Sequence, residues 1–215
     1  MSQLHGILDP QPGNLAFALF RDAELLLRSD CPMHGRDAAI LPDFVAGELQ
    51  KVDLKINDVT KCTIGSGPGS FTFLRVVAAL GAGWAVGDSQ IRFRCIPGAL
   101  GLAAMLDPAE GEKVGVLYDG RNKELLCFGV EKVDGILRPT GEELILNAAA
   151  AQEFFASDRR RLCAFAADEA VLTKLLGDTI RFRTVGPDLS ALAQQPGDFD
   201  NDADKMCYIR PAVNA

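Results

Sequence analysis

A glycine-rich segment between an apolar run and a helix pattern is the most informative feature of this 215-residue sequence. It reads Gly65-Ser-Gly-Pro-Gly-Ser-Phe-Thr72. Glycines between a strand and a helix leave backbone amides unpaired at the helix start, where anions bind readily. The segment lacks the Gly-Lys-Ser/Thr ending of a Walker loop, which would place a lysine on the outer phosphates of a nucleotide. A tight turn with Ser70 as N-cap is favoured, and a phosphate site stays open as the alternative.

Two histidines and six cysteines leave little scope for metal or nucleophilic chemistry. A catalytic zinc takes about three protein ligands, commonly including a histidine pair, and the residues after His34 supply no second histidine at helical spacing. The cysteines lie singly, without a Cys-x-x-Cys pair, so reduced structural thiols are expected. Two histidines must also supply every candidate base for a nucleophile. We therefore predict no metal site and no catalytic residue.

Three charged residues near predicted strand ends are candidate ligand contacts. Asp9 ends the first predicted strand, where a carboxylate can hold a hydrated cation near phosphates. Pro10 and Gln11 follow it, in place of the small hydroxyl residues or glycines that would let a phosphate approach, so Asp9 is interpreted as a capped turn residue. Asp119 and Arg121 lie between two predicted strands, where a local salt bridge is favoured over a ligand contact.

The charge balance argues against direct binding of a nucleic-acid backbone. The formal net charge is −7, and such affinity comes from Lys and Arg neutralising phosphates. The basic run Arg159 to Arg161 is interpreted as a solvated turn. The longest apolar stretch, 73–86, is too short and too polar to span a bilayer, and the first residues do not resemble a signal peptide. A cytoplasmic protein that reaches RNA through a partner is expected.

Hydrophobic periodicity and turn residues organise the first half of the chain. Apolar and polar residues alternate in segments that are separated by turn-forming residues, which predicts a three-stranded meander. Apolar residues at helical spacing predict the helices that follow. The predicted strands are 5–9, 14–20, 24–28, 59–64 and 91–96, and the predicted helices are 36–52, 70–86 and 98–106. The glycines in helix 70–86 cost about 1 kcal/mol each relative to alanine. Close approach of another backbone, within the fold or across a subunit interface, is the usual compensation.

A polar, turn-rich stretch at 107–112 marks the predicted boundary between two lobes, 1–106 and 107–215. Strand-plus-helix units in both halves suit a duplicated α/β architecture. The predicted strands of the second lobe are 114–118, 125–131, a weak one around Ile136, 162–166 and 180–185, with helices at 148–155 and 169–176. The acidic tail from Pro196 to Asp204 is predicted to be loose.

The run from Ile64 to Val76 strongly resembles the signature of the B-subunit family of threonylcarbamoyladenosine synthesis, the TsaB or YeaZ-like family of the glycoprotease-like superfamily. That signature reads Gly-Pro-Gly-Ser-Phe-Thr followed by Gly-Leu-Arg. The residues of the signature loop here are Gly65, Gly67, Pro68, Gly69, Ser70, Phe71, Thr72 and Arg75. Supporting matches lie in order at 7–9, 34, 41–42, 96–104, 119–121 and 208–210. The resemblance covers residues 5–106 and is patchy beyond them.

The resemblance implies a two-lobed α/β fold like that of actin, sugar kinases and Hsp70, with mixed sheets, flanking helices and a short second lobe. It also implies a non-catalytic paralogue without a cofactor, which supports modification of the tRNA adenosine next to the anticodon. The expected partners are a catalytic D subunit, bound through the first two helices, and an ATPase E subunit that docks on the pair. Contact with tRNA is expected only through them. The predicted partner-binding residues are Phe44, Phe73, Val77, Leu80 and Trp84.

Several positions depart from the family pattern. Phe73 replaces a glycine, Val77 replaces a small residue, Ser66 stands where a basic residue is common, and Pro10-Gln11 replaces a Thr-Ser pair. These changes weaken the case for nucleotide binding. An ATP-dependent phosphotransferase or ATPase of the same superfamily remains the alternative, followed by a metalloprotease. A helix face built to pair with a paralogue can also pair with itself, so a homodimer is expected for the isolated protein.

Overall fold

The computed structural model describes residues 3–33, 37–69, 71–87, 91–203 and 205–206, without the side chains of 37, 38 and 71. The chain divides into two compact units. The first unit joins the residues up to Gly98 to the segment that begins at Leu189, and the second is Ala99–Asp188. The predicted boundary at 106/107 therefore differs from the division in the structure, because the helix Ala99–Ala104 packs on the second sheet and the chain returns to the first unit at Leu189.

The sheet of the first unit opens with the predicted meander. Its strands are β1 Leu4–Gln11, β2 Asn14–Arg21, β3 Glu24–Pro32, β4 Lys61–Gly65 and β5 Arg92–Ile96, in the spatial order β3-β2-β1-β4-β5. β1, β2 and β3 are antiparallel neighbours, whereas β4 and β5 run parallel to β1. Because β1 continues to Gln11, Asp9 lies inside a strand and its interpretation as a turn residue is wrong.

Two helices cover one face of this sheet. α1 spans Leu41–Gln50 after a short 3-10 turn at Asp37–Ile40, and α2 spans Phe71–Gly87. Pro42 lies in the first turn of α1, where its missing amide costs nothing. The core between the sheet and these helices is made of alternate strand residues and the inner helix faces, including Leu8, Leu15, Phe17, Val45, Leu49, Ile64, Leu74, Val77 and Phe93.

The other face of the first sheet is covered by the C-terminal strap, which we define as Leu189–Ala203. It begins with the helix α6, Leu189–Gln194, which contacts β1, β2 and β4. Asn201 then bonds to the edge of β5, because its backbone amide donates to the Phe93 carbonyl and its side-chain oxygen accepts from the Phe93 amide. The prediction of a loose tail from Pro196 is therefore wrong over the described residues of the tail.

The second unit repeats the topology of the first. Its strands are β6 Lys113–Arg121, β7 Glu124–Val133, β8 Ile136–Asn147, β9 Arg161–Phe165 and β10 Arg183–Val185, in the order β10-β9-β6-β7-β8. Its helices are α3 Ala99–Ala104, α4 Ala148–Ser157 and α5 Glu169–Leu176. A meander followed by two parallel strands thus occurs twice, which confirms the predicted α/β class with mixed sheets and flanking helices.

Two details of the second unit bear on the predictions. The weak strand around Ile136 is a 12-residue edge strand with only one buried residue, Leu137, so its alternation is poorly visible in the sequence. Arg160 is not solvated, because its side chain is 8% exposed and pairs with Asp158 and Glu142, whereas Arg159 is exposed.

In the part of the chain that the structure describes, no helix combines the length and apolar character needed to cross a bilayer.

Candidate functional site

The glycine-rich segment forms the junction between β4 and α2. Its described residues, Gly65 to Gly69, are all buried. The Ser66 amide donates to the Ile96 carbonyl at 2.7 Å, so the segment is joined to the end of β5. Gly67 has a φ of 96°, which favours glycine, and the Gly67-Pro68 peptide bond is cis. The N-cap role predicted for Ser70 and the contribution of the Phe71 side chain lie outside the described residues.

Asp9 lies next to this junction without access to solvent. Its Oδ2 accepts a 2.6 Å hydrogen bond from the Gln11 side chain, and burial raises the pKa of Asp9 to about 7. Its Oδ1, like Gln11 Oε1, has no hydrogen-bond partner among the described residues. A Cβ added to Gly65 would lie 1.9 Å from Asp9 Oδ1, and one added to Gly98 would lie 2.4 Å from it. The carboxyl group is therefore enclosed by backbone.

A second polar group lies on the same face of the sheet as Asp9. His5 Nε2 and Thr63 Oγ1 are 2.8 Å apart, and Arg94 Nε donates to the same hydroxyl at 2.9 Å. The Arg94 guanidinium also donates to four strap carbonyls, those of Leu192, Ala193, Gln195 and Gly197. This group was not predicted from the sequence. Its one sequence signal is Arg94, a basic residue at the centre of the five-residue strand β5.

The predicted partner-binding residues separate into two classes. Val77 is 0% exposed and belongs to the core, so it cannot contact a partner and its prediction is wrong. Phe44, Phe73, Leu80 and Trp84 are half-buried and pack against the same core. The exposed face of α2 instead carries Thr72, Arg75, Ala79, Gly83, Val86 and Gly87. Val86 is 88% exposed, the most open large apolar side chain among the described residues.

The hairpin between β6 and β7 contains the predicted local ion pair. Arg121 Nη1 lies 3.5 Å from Asp119 Oδ2, which confirms the salt bridge. Asp168 is 7% exposed, and its Oδ2 accepts from the Asp119 amide at 3.1 Å. Burial raises the pKa of Asp168, and the nearby Asp119 charge acts in the same direction. Arg121 is exposed, so the pair closes the hairpin at the protein surface.

The described cysteine thiols are buried or half-buried. Burial raises the pKa of the Cys62, Cys95, Cys127 and Cys163 thiols, each to about 12. A thiol with so high a pKa is a poor nucleophile at neutral pH. Among the described residues, no group of three His, Cys, Asp or Glu side chains is placed to hold a metal ion. His34 lies outside the described residues.

The family model described as TsaD, tRNA N6-adenosine threonylcarbamoyltransferase, matches residues 36–193. The chain belongs to this family. The match includes the glycine-rich junction, α2 and nearly all of the second unit of this TsaD-family chain. It confirms the family relationship that the signature run predicted. A search of curated proteins finds no match.

Solved structures agree on the fold of this TsaD-family chain. YeaZ from Pseudomonas aeruginosa superposes with a TM-score of 0.68 at 19% identity, over 89% of this chain and 90% of that one. A second structure, described as an uncharacterized protein with similarity to peptidase YEAZ from Pseudomonas aeruginosa, gives a TM-score of 0.65 at 19% identity, over 89% and 88% of the two chains. The similarity extends over both units, which confirms the predicted two-lobed fold.

Proposed function

We propose that this TsaD-family chain is a non-catalytic scaffold subunit of the assembly that forms threonylcarbamoyladenosine in tRNA. It binds a catalytic D-subunit paralogue through α1 and α2, and an ATPase E subunit docks on that pair. Transfer to the adenosine takes place on the partner. The observation that carries the proposal is the exposed face of α2, a 17-residue helix with small residues outward.

The composition of that face suits close helix pairing. Ala79 and Gly83 are exposed and one turn apart, so another helix can approach the backbone closely there. A Cβ on Gly83 would meet nothing within 4 Å, so Gly83 is not required for packing within the chain. The helix-breaking tendency of Gly83 is therefore uncompensated in the single chain. A partner helix that packs on this position would compensate it.

The enclosure of Asp9 supports the absence of catalysis. A carboxylate that holds a hydrated cation must be ionised and reach water or a phosphate. Asp9 is 0% exposed, and backbone at Gly65 and Gly98 lies against it. Ser66, where a basic residue is common in related signatures, is also buried and adds no positive charge. A reaction on this subunit would require a conformational change that exposes both the Asp9 carboxylate and the loop from Gly65 to Gly69.

The test is capture of the purified D-subunit paralogue of the same cell by this protein. Ala79→Glu places a charge on the exposed face of α2 and is expected to reduce the amount of captured partner at least tenfold. Ala170→Glu, an exposed alanine of α5 in the second unit, is the matched control and should capture the partner as the wild type does. Melting curves verify that both variants fold.

Two results would contradict the proposal. One is failure of the folded wild-type protein to capture the D-subunit paralogue. The other is formation of threonylcarbamoyladenosine in tRNA by the isolated chain, which would assign the chemistry to this subunit. Equal loss of capture in Ala79→Glu and Ala170→Glu would show that the exposed face of α2 is not the specific interface. Sedimentation of the isolated protein, with and without Ala79→Glu, tests the homodimer through the same face.

A further inference from the structure

The C-terminal strap is held on the first sheet through a buried cation. Arg94 is 4% exposed, and its guanidinium donates only to uncharged acceptors among the described residues: the Thr63 hydroxyl and four strap carbonyls. Two of these carbonyls, at Leu192 and Ala193, belong to the last turn of α6, where unpaired carbonyls attract a cation. Arg94 thus joins β5 to the strap over about a hundred residues of sequence.

The hydrogen bonds of this group accommodate a neutral His5. Arg94 Nε is always a donor, so Thr63 Oγ1 accepts from it and directs its own proton elsewhere. His5 Nε2 lies 2.8 Å from that hydroxyl and is in position to accept this proton. An accepting Nε2 belongs to a neutral imidazole that carries its proton on Nδ1. The Thr63 hydroxyl has a second lone pair that can accept from a protonated imidazole, so the preference for the neutral form comes from the burial of His5, which is 8% exposed, and from the cations beside it.

The surroundings of His5 contain two cations. Lys61 of β4 lies in register with His5, and Arg94 of β5 shares its hydroxyl partner. The neighbouring strand β2 places the apolar Phe20 opposite His5. The strap contributes the Phe199 ring, whose centroid is 5.4 Å from the His5 ring. Among the described strap acids, Asp200 and Asp202 pair with Lys205.

The Phe199 ring of the strap contacts both of these cations. The Lys61 ammonium lies 5.0 Å and the Arg94 guanidinium 4.5 Å from its ring centroid. A proton on His5 would place a third positive charge next to these two cations, on a side chain that is only 8% exposed. In the closed form this charge is unfavourable because His5 is buried beside two cations. When the strap is released, His5 is exposed to water, which solvates the charge.

We propose that His5 is the trigger of an acid-operated release of the C-terminal strap from the first sheet. Protonation of His5 detaches Phe199 and the Asn201 contact, and the edge of β5 becomes free. Because a free edge strand can pair with another chain, release converts a covered edge into an exposed pairing edge.

The sign of the pH effect follows from linkage. Burial, followed by the charges of Arg94 and Lys61, lowers the pKa of His5 from 6.5 to about 4 in the closed form. The released form regains the ordinary pKa, so it binds more protons at every pH between these values. The contribution of neutral His5 to strap binding is complete above about pH 6.5, and it is lost as the pH falls from 6.5 to about 4. The release equilibrium should rise about 30-fold between pH 8 and pH 5.

Hydrogen exchange of the Asn201 amide, which is bonded to the Phe93 carbonyl, measures release directly. After correction for the intrinsic pH dependence of exchange, its protection in the wild type should fall about 30-fold from pH 8 to pH 5. Amides of β1 and β2 serve as the reference and should keep their protection. In His5→Gln, whose side chain accepts from Thr63 but cannot be protonated, Asn201 protection should stay constant within about threefold.

Three outcomes would overturn the proposal: constant Asn201 protection in the wild type, the same fall in His5→Gln as in the wild type, or a parallel fall across β1 and β2. If His5→Gln does not fold, an NMR titration of the wild-type imidazole decides instead. A midpoint near pH 4 is expected, and a midpoint near 6.5 in the folded protein would contradict the proposal. Arg94→Met should lower Asn201 protection at pH 8 as well, because it removes the holding cation.

Discussion

Asp9 Oδ1 and the α-carbon of Gly65 lie so close that a Cβ on residue 65 would be 1.9 Å from the carboxylate oxygen. That Cβ would also lie 3.1 Å from the Asp9 α-carbon, so rotation of the Asp9 side chain would still leave a tight contact with the backbone of β1. Glycine at 65 is therefore required by packing between β1 and β4. This contact explains the first glycine of the signature without a bound phosphate.

Replacement of Gly65 with alanine should destabilise the protein by about 3 kcal/mol, because β1 and β4 must separate to admit a methyl group. Urea unfolding measures this loss. Gly47→Ala is the matched control: a Cβ at this exposed position of α1 meets nothing within 4 Å, so the same substitution should stabilise the helix by up to about 1 kcal/mol. Equal effects of the two substitutions would contradict the packing role of Gly65.

The buried carboxyl of Asp9 should make stability fall as the pH rises. Its pKa is about 7 in the folded protein and 3.8 when exposed, so the folded state binds more protons between these values. The contribution of Asp9 to the free energy of unfolding is complete below about pH 4. It is lost as the pH rises from about 4 to 7, with a total change of about 4 kcal/mol. Asp9→Asn cannot ionise, so this fall should be absent and the variant should be the more stable protein at pH 8.

Urea unfolding at pH 5, 6, 7 and 8 tests this expectation. The difference between Asp9→Asn and the wild type should grow with pH and favour the variant above pH 7. Asp178→Asn, which removes an exposed carboxylate just after α5, should parallel the wild type throughout. A wild-type stability curve whose slope is unchanged by Asp9→Asn would show that Asp9 is ionised in a hydrated site.

Nucleotide binding should be absent from the isolated chain. A nucleotide phosphate needs accessible amides or cations, whereas Gly65 to Gly69 are buried and Asp9 is enclosed. Titration with Mg-ATP followed by calorimetry and by the shift in melting temperature should give no saturable signal up to millimolar nucleotide. Saturable binding that Asp9→Asn abolishes would revive the ATPase alternative and would require the junction to open.

Local patterns predicted the elements well but not the contacts between distant segments. Alternation gave the meander of β1 to β3, and helical spacing with the glycine-rich entry gave α2, because these signals lie within about twenty residues. The strap was predicted as loose because its acidic, Pro- and Gly-containing sequence carries no periodicity. Its order depends on Arg94, which is about a hundred residues away in the chain and bonds to its backbone carbonyls.

The site was predicted less well, for a related reason. The signature run located α2, but composition alone does not determine which side of a nearly all-apolar helix faces inward. Val77 was assigned to the interface, although it lies in the core, and Ala79 and Gly83 face outward. The sequence predicts a strand that ends at Asp9, where Pro10 and Gln11 follow, whereas β1 and β2 pair as far as Gln11 and Asn14.

Val77 and Ala79 should therefore separate stability from partner binding. Val77→Ala removes two buried methyl groups and should cost about 2 kcal/mol of unfolding free energy, with capture of the D-subunit paralogue unchanged as long as the protein is folded. Ala79→Glu should leave stability within about 0.5 kcal/mol and reduce capture. Urea unfolding and capture at 10 °C on the same samples measure both quantities. Loss of capture in folded Val77→Ala, with capture retained in Ala79→Glu, would mean that the partner recognises the packing of α2 and not its exposed face.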